Sequence, residues 1–294
     1  MITETAPAKI NLYLHVGPVR NDGLHALASL FVFAEDGDRV SAAPSGDLSL
    51  EVTGPFAPAL EDLPAKDNLV LRAAATLREA CGVTSGAALT LEKNLPVAAG
   101  IGGGSADAAA ALRALVRLWD ADIAEDALVR LAFSLGADIP ACLAGAPVNV
   151  TGAGEAMAAG PVLPPLWVCL VNPGVETPTG PIFRAFDAAH PAPAPAAPAL
   201  ATFAPSQTEP GYDALQAMLT ASRNDLQPFA IEGAPAIAEV LEALEKTPGA
   251  LIARMSGSGA TCFAVFDSET GARRAEDEAR GRGWWAMASR LRTG

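Results

Sequence analysis

The stretch Asn94-Leu95-Pro96-Val97-Ala98-Ala99-Gly100-Ile101-Gly102-Gly103-Gly104-Ser105-Ala106-Asp107-Ala108-Ala109-Ala110 runs a glycine-dense loop straight into an alanine-rich helical pattern. Glycines let backbone N–H groups crowd around an anion in conformations that side chains forbid. A helix starting there aims its positive dipole end and its unsatisfied N–H groups at the same point. Phosphate binding is the expectation, and a tight strand-to-helix packing turn is the other reading of the same glycines. Two common phosphate motifs are absent. The chain has no Gly-Lys dipeptide for a Walker-type loop, and Ser105 stands where a Rossmann fingerprint needs glycine.

Outward from the loop, residues 108, 112, 115 and 119 mark one helical face, with Arg113 and Arg117 opposite. A second helix is expected over 126–135, stopped by Gly136, and Asp138-Ile139-Pro140 opens a further short segment. Upstream, residues 8–16 read as a strand. Ile10, Leu12, Leu14 and Val16 share one face, while Lys9, Asn11, Tyr13 and His15 share the other. The turn-rich Arg20-Asn21-Asp22-Gly23 follows, then an apolar segment to Phe33. Strands at 47–52 and 87–91 flank a helix near 69–80. The Gly-, Ala- and Pro-rich run 152–165 is the best candidate for a domain junction, placing domains at 1–157 and 158–294. A strand at 166–171 follows, and 190–205 alternates Pro and Ala as an extended, solvated loop. Helices return at 213–221, 234–246 and 270–282, with a strand–turn–strand at 250–266. No internal repeat is visible, and the irregular mixture of strands and helices favours an α+β fold.

The 294 residues suffice for a substantial core, and half of them are apolar, which excludes a disordered chain. No apolar run reaches the roughly 20 residues that span a bilayer, and the N-terminus lacks a basic secretory n-region, so no membrane is expected. Cys81, Cys142, Cys169 and Cys262 are scattered, as reduced, mostly buried thiols of a cytoplasmic protein would be. The net charge of −13 and the lack of a basic stripe argue against nucleic acid. An anionic small ligand remains compatible, because a glycine loop and a few cations set a local positive field. Lysine is confined to Lys9, Lys66, Lys93 and Lys246.

Residues 95–109 resemble the second motif of the GHMP kinases, whose loop embraces the phosphates of ATP. Pro7-Ala8-Lys9-Ile10-Asn11-Leu12 is similar to that superfamily's first motif, and Arg254-Met255-Ser256-Gly257-Ser258-Gly259-Ala260 to its third. Within the superfamily, Asp22-Gly23-Leu24-His25, Gly136-Ala137-Asp138-Ile139-Pro140 and Arg223-Asn224-Asp225-Leu226 resemble the branch that phosphorylates a cytidine-diphosphate-linked polyol. The resemblance implies a two-domain fold. An N-terminal ATP-binding domain and a C-terminal substrate-binding domain would enclose the active site in a cleft, in a monomer or homodimer using ATP and Mg²⁺.

The resemblance also implies residue roles, each with a plainer alternative. Asp138 would be the catalytic base, since an attacking hydroxyl must lose its proton; it also suits a helix N-cap. Lys9 would stabilise the alkoxide and the transferring phosphoryl; a solvated strand lysine is the alternative. The ATP set is Lys93, Pro96, Val97, Ala98, Ala99, Gly100, Ile101, Gly102, Gly103, Gly104 and Ser105. Lys93 reads equally as an exposed strand-end lysine, and Ser105 as a plain N-cap or as a Mg²⁺ ligand. Gly257 and Gly259 would steady the phosphate loop, or simply form a hairpin turn. Asn11, His25, Thr179 and Phe183 form the substrate set, with His25 hydrogen-bonding cytosine and Phe183 stacking on it. Asn11 also reads as a structural strand asparagine, His25 as a structural histidine, and Phe183 as core. Beside His25 the family typically has tyrosine. Leu24 stands there instead, which gives up aromatic stacking of about 1 kcal/mol.

Overall fold

The computed structural model describes residues 1–190 and 212–293. The chain divides into two compact units. The first holds Met1–Lys9, Glu35–Val97 and Gly102–Gly145, and the second Ile10–Ala34, Ala98–Ile101 and Ala146–Gly294. Two long strands, β1 (Ile2–Val19) and β2 (His25–Ser45), supply residues to both. The alternation read over residues 8–16 is real, but its polar face is not solvated. Burial continues on both faces from Ala6 to Leu14, with Lys9 5 % and Tyr13 1 % exposed.

In the first unit, β3 (Leu48–Thr53) pairs parallel with β4 (Gly86–Glu92). The C-terminal half of β2 pairs antiparallel with β4, Arg39 opposite Glu92 and Ser45 opposite Gly86. Helix α1 (Leu69–Ala80) matches its expected span. Asn68 caps it by accepting from the Val70 N–H at 2.9 Å. Its buried residues Val70, Ala73, Ala74 and Leu77 recur at helical spacing, and burying Leu77 alone is worth about 2 kcal/mol.

Helix α1 packs on α2 (Gly103–Leu118), where residues 106–111 are all buried. Small alanine side chains allow this close packing, and Asp107 sits among them. Helices α3 (Glu125–Leu135) and α4 (Ile139–Ala144) follow, with α4 packed on both α2 and α3.

In the second unit, the N-terminal half of β2 pairs with β5 (Val148–Gly152), which pairs with β6 (Ala156–Ala159). The Gly-, Ala- and Pro-rich run therefore carries the end of one hairpin strand and the whole of the next. β7 (Trp167–Asn172) leads into α5 (Thr179–Ala189), and residues 191–205 of the Pro/Ala segment lie outside the described residues. Helices α6 (Tyr212–Ala221), α7 (Gln227–Gly233) and α8 (Ala236–Glu245) follow. Then come β8 (Ala250–Met255), β9 (Cys262–Phe266), α9 (Glu269–Gly281) and β10 (Trp285–Arg290).

An antiparallel sheet runs β10-β7-β9-β8. Helix α8 packs on β8 and β9, and α9 on β10, β7 and β9, which leaves every residue of β9 buried. Antiparallel pairing with helices in irregular order makes the fold α+β, as expected. Among the described residues, no helix is long and apolar enough to cross a membrane.

Candidate active site

Helix α2 opens one residue after Gly102, which holds the N-cap position at φ 63°. Ser105 is therefore not the cap; it lies inside the first turn. The first intrahelical bond is Ala106 N–H to Gly102 C=O at 2.9 Å, so the N–H groups of Gly103, Gly104 and Ser105 precede the ladder. Packing explains why Gly102 is glycine. A Cβ there would lie 2.9 Å from Cε and 3.0 Å from Cβ of Lys9. The bare backbone lets the Lys9 stem lie across the helix start.

Lys9 Nζ reaches Asp138 Oδ2 at 3.2 Å. Asp138 occupies the N-cap position of α4, yet its side chain makes no cap hydrogen bond, so the carboxylate is turned towards the ammonium. The Asp138 side chain is 35 % exposed, whereas that of Lys9 is 6 % exposed. A cation thus lies beside an accessible carboxylate and next to a helix start rich in unpaired donors. Behind Asp138, burial pushes the Cys142 thiol of α4 up to about 12, so it stays neutral.

Lys93 is not an exposed strand-end lysine. It is 2 % exposed and forms ion pairs with Asp38 and with Asp107, the latter at 2.8 Å. Burial pulls the Lys93 ammonium down, but the two carboxylates outweigh it and hold the pKa above its ordinary value. The Asp107 carboxyl is pushed up to about 8, first by burial and further by Asp38, against the pull of Lys93. Neither aspartate was singled out from sequence. The available signal was an ionisable residue inside the buried alanine run.

Of the remaining loop residues, Pro96 is buried and Val97 is 37 % exposed in the first unit. Residues 98–101 belong to the second unit. Ala98 takes a positive φ of 52°, and Ile101 is fully buried. The third-motif loop holds this piece. Thr261 N–H donates to Ala99 C=O at 3.2 Å, and the Ser256 hydroxyl donates to Gly100 C=O at 2.9 Å. A Cβ on Gly100 would lie 2.5 Å from the Ser256 carbonyl oxygen. Ser256 Oγ also accepts from the Asn11 backbone N–H at 3.1 Å. The Asn11 side-chain amide donates to Ser29 Oγ at 2.8 Å, which ties it into the strand network.

Two residues that sequence reasoning left without a role fix this region. Asn224 Nδ2 donates to the carbonyls of Met255 and Gly257, both at 2.8 Å. The buried Arg254 guanidinium donates to the carbonyls of Leu12, Leu219 and Ser222.

The four residues expected to bind substrate, Asn11, His25, Thr179 and Phe183, all belong to the second unit. His25 stacks on Phe183 at 5.1 Å between ring centroids and 29° between planes, and meets the edge of Phe186 at 5.9 Å. Its Nδ1 faces Gly17 C=O at 3.0 Å and its Nε2 faces Asp187 Oδ1 at 3.1 Å. Phe186 and Asp187 lie one helical turn after Phe183 on α5, a spacing visible in sequence only once that helix is known. Thr179 Oγ1, at the start of α5, meets Ser258 Oγ at 2.8 Å. Leu24 is 55 % exposed beside His25.

The family signature described as GHMP kinases N terminal domain matches residues 68–146, and GHMP kinases C terminal matches 207–283. The chain is 49 % identical over 294 residues to a 4-diphosphocytidyl-2-C-methyl-D-erythritol kinase of Paramagnetospirillum magneticum, covering 97 % of each. It is 50 % identical over 291 residues to the like-named protein of Parvibaculum lavamentivorans, covering 98 % of this chain and 97 % of that one. Among solved structures, a crystal structure of 4-(cytidine 5'-diphospho)-2C-methyl-D-erythritol kinase superposes with a TM-score of 0.79 at 32 % identity, covering all of both chains.

Proposed function

The chain belongs to the GHMP kinases, in the branch of the 4-diphosphocytidyl-2-C-methyl-D-erythritol kinases, and we propose that it moves the γ-phosphoryl of ATP to the 2-hydroxyl of 4-diphosphocytidyl-2-C-methyl-D-erythritol. The products are ADP and the 2-phosphate, within the non-mevalonate route to isoprenoid precursors. The observation that carries the reading is the Lys9–Asp138 pair at 3.2 Å, with the Lys9 stem against Gly102 at the start of α2.

Asp138 accepts the hydroxyl proton as the oxygen attacks the γ-phosphorus, and the bond to the bridging β–γ oxygen breaks, leaving ADP. Lys9 favours the deprotonated oxygen and offsets charge on the transferring phosphoryl. The backbone of residues 96–105 holds the nucleotide phosphates, helped by the free N–H groups at the start of α2. Among the described residues, no three His, Cys, Asp or Glu side chains gather into a metal cage. Ser105, in the first turn of α2, would be the protein donor to Mg²⁺. When bound, Mg²⁺ neutralises charge on the β- and γ-phosphates.

Phe183 would stack on the cytosine and His25 would hydrogen-bond it by exchanging Asp187 for the base at Nε2, and Thr179 and Asn11 would line the rest of the substrate. The two family matches fall on either side of a division into a nucleotide part, 1–157, and a C-terminal part, 158–294, whereas the compact units interleave, the second also taking Ile10–Ala34 and Ala98–Ile101.

A homoserine- or mevalonate-type kinase would need neither His25 nor Phe183, and the full-length likeness to the cytidyl enzymes favours the first reading. A silent nucleotide-binding protein would need neither Lys9 nor Asp138. ADP release measured with the cytidyl substrate, homoserine and mevalonate in parallel separates the three. Turnover is expected with the cytidyl substrate alone. Preference for another acceptor overturns the substrate, and no turnover with any of them overturns the kinase.

A further inference from the structure

Among the described residues, Asp38, Lys93 and Asp107 form a buried cluster of charge that phosphoryl transfer leaves unused. All three are at most 3 % exposed. Charges sealed from water are costly unless paired and hydrogen-bonded, so their contacts say what they hold. Lys93 pairs with both carboxylates. Asp38 Oδ1 also accepts the backbone N–H groups of Asn94 and Leu95, the latter at 2.8 Å. Those two residues enter the glycine loop.

Asp107 lies in the opening turns of α2, where the loop ends. The Lys93 ammonium itself presses on that start, since a Cβ on Gly103 would lie 3.0 Å from Nζ. The Lys93 backbone is fixed in turn. Its N–H donates to Thr53 C=O at 2.7 Å, and its C=O accepts from Phe56 N–H at 3.1 Å.

We propose that Asp38, Lys93 and Asp107 form a buried hydrogen-bonded latch that sets the two ends of the phosphate loop, and that Lys93 is a positioning residue and not a nucleotide ligand. Asp38 holds the entry at Asn94-Leu95, Asp107 holds the exit on α2, and Lys93 joins them. The inference rests on the loop's role in holding ATP. It goes beyond that role in assigning the lysine to the interior of the first unit.

The test uses the full-length protein and three variants, Asp38→Ala, Lys93→Met and Asp107→Ala. Each is checked for folding by its thermal melt, then compared in ATP KM, kcat and amide hydrogen exchange of residues 94–107. A displaced loop weakens nucleotide binding more than chemistry. Asp38→Ala and Lys93→Met should therefore each raise ATP KM about tenfold or more with kcat within about threefold. Both should also speed exchange at Asn94 and Leu95.

If Lys93→Met raises KM while Asp38→Ala leaves it unchanged, Lys93 touches the nucleotide and the latch is overturned. Wild-type KM and exchange in all folded variants overturn it as well. Should the first two variants fail to fold, Asp107→Ala decides, because alanine suits this helix run. A rise in KM of about threefold or more, with faster exchange at the start of α2, supports the latch, and no change in either overturns it. Calorimetry of ATP with the wild-type protein separates the two failures. Absent binding there overturns the nucleotide role of the loop, while exchange at residues 94–107 still reports on the latch.

Discussion

Lys9 and Lys93, two of only four lysines in the chain, are both nearly closed to solvent, yet the carboxylates that meet them differ. Lys9 meets Asp138, whose side chain is 35 % exposed on an unused N-cap. Lys93 meets Asp38 and Asp107, with side chains 0 % and 4 % exposed. A proton can pass between a bound hydroxyl and the first carboxylate, because a substrate can reach it. Nothing outside the protein reaches the second pair. The exposure of the anion, more than that of the lysine, separates a pair suited to chemistry from one suited to holding backbone.

The sharpest way to break this contrast is Asp138→Asn, which keeps the shape and removes the base. It should lower kcat by about 10³ while ATP binds nearly as before, measured by ADP release and calorimetry. Retained wild-type kcat would remove the base assignment. Lys9→Met should cost somewhat less, about 10² in kcat, because it takes away charge stabilisation and leaves the base. A loss confined to ATP KM would instead make Lys9 a binding residue.

The sealed pair is sharpened by pH. In the folded chain the Asp107 carboxyl is raised to about 8 from 3.8, first because it is buried. Between those values the folded state holds a proton that the unfolded state has released, so this group's contribution to stability is lost as pH rises towards 8. Asp107→Asn cannot titrate. Thermal melts should show its Tm rising relative to the wild type from pH 5 to 8, then running parallel above that. A gap that does not change with pH would mean that Asp107 is ionised in the fold.

The smallest effect concerns the aromatic region of the second unit, where His25 stacks on Phe183. Phe183→Ala should raise the KM for the cytidyl substrate about tenfold, and Leu24→Tyr should lower it about fivefold, each with kcat held. Unchanged KM in both would remove the base-stacking assignment.

Much of this was legible without coordinates where local signals suffice. Helix 69–80 was read with its bounds, because Asn68 caps it and its apolar residues keep helical spacing. The strand–turn–strand at 250–266 followed from its apolar pattern and glycine cluster, and α9 from its helical pattern, read at 270–282 and found at Glu269–Gly281. Helices α5 and α7 and strand β10 were not anticipated, and without α5 the spacing of Phe183 and Asp187 carried no meaning. Among the candidate site residues, Lys9 and Asp138 were named, but whether Asp138 capped a helix or faced a lysine was open. Lys93 was open between an exposed residue and a ligand and proved to be neither exposed nor unpaired.

By itself the sequence determined the glycine-opened helix, the lack of Walker and Rossmann spacings, the α+β class and the residue types available for phosphoryl transfer. These follow from backbone preferences and short-range periodicity, which neighbouring residues encode. Only the tertiary structure decided which carboxylate meets which lysine, and which of those pairs stays open to solvent. Side-chain direction and burial are set by packing between segments distant in the chain, as when the bare backbone of Gly102 admits Lys9. No local propensity carries that information.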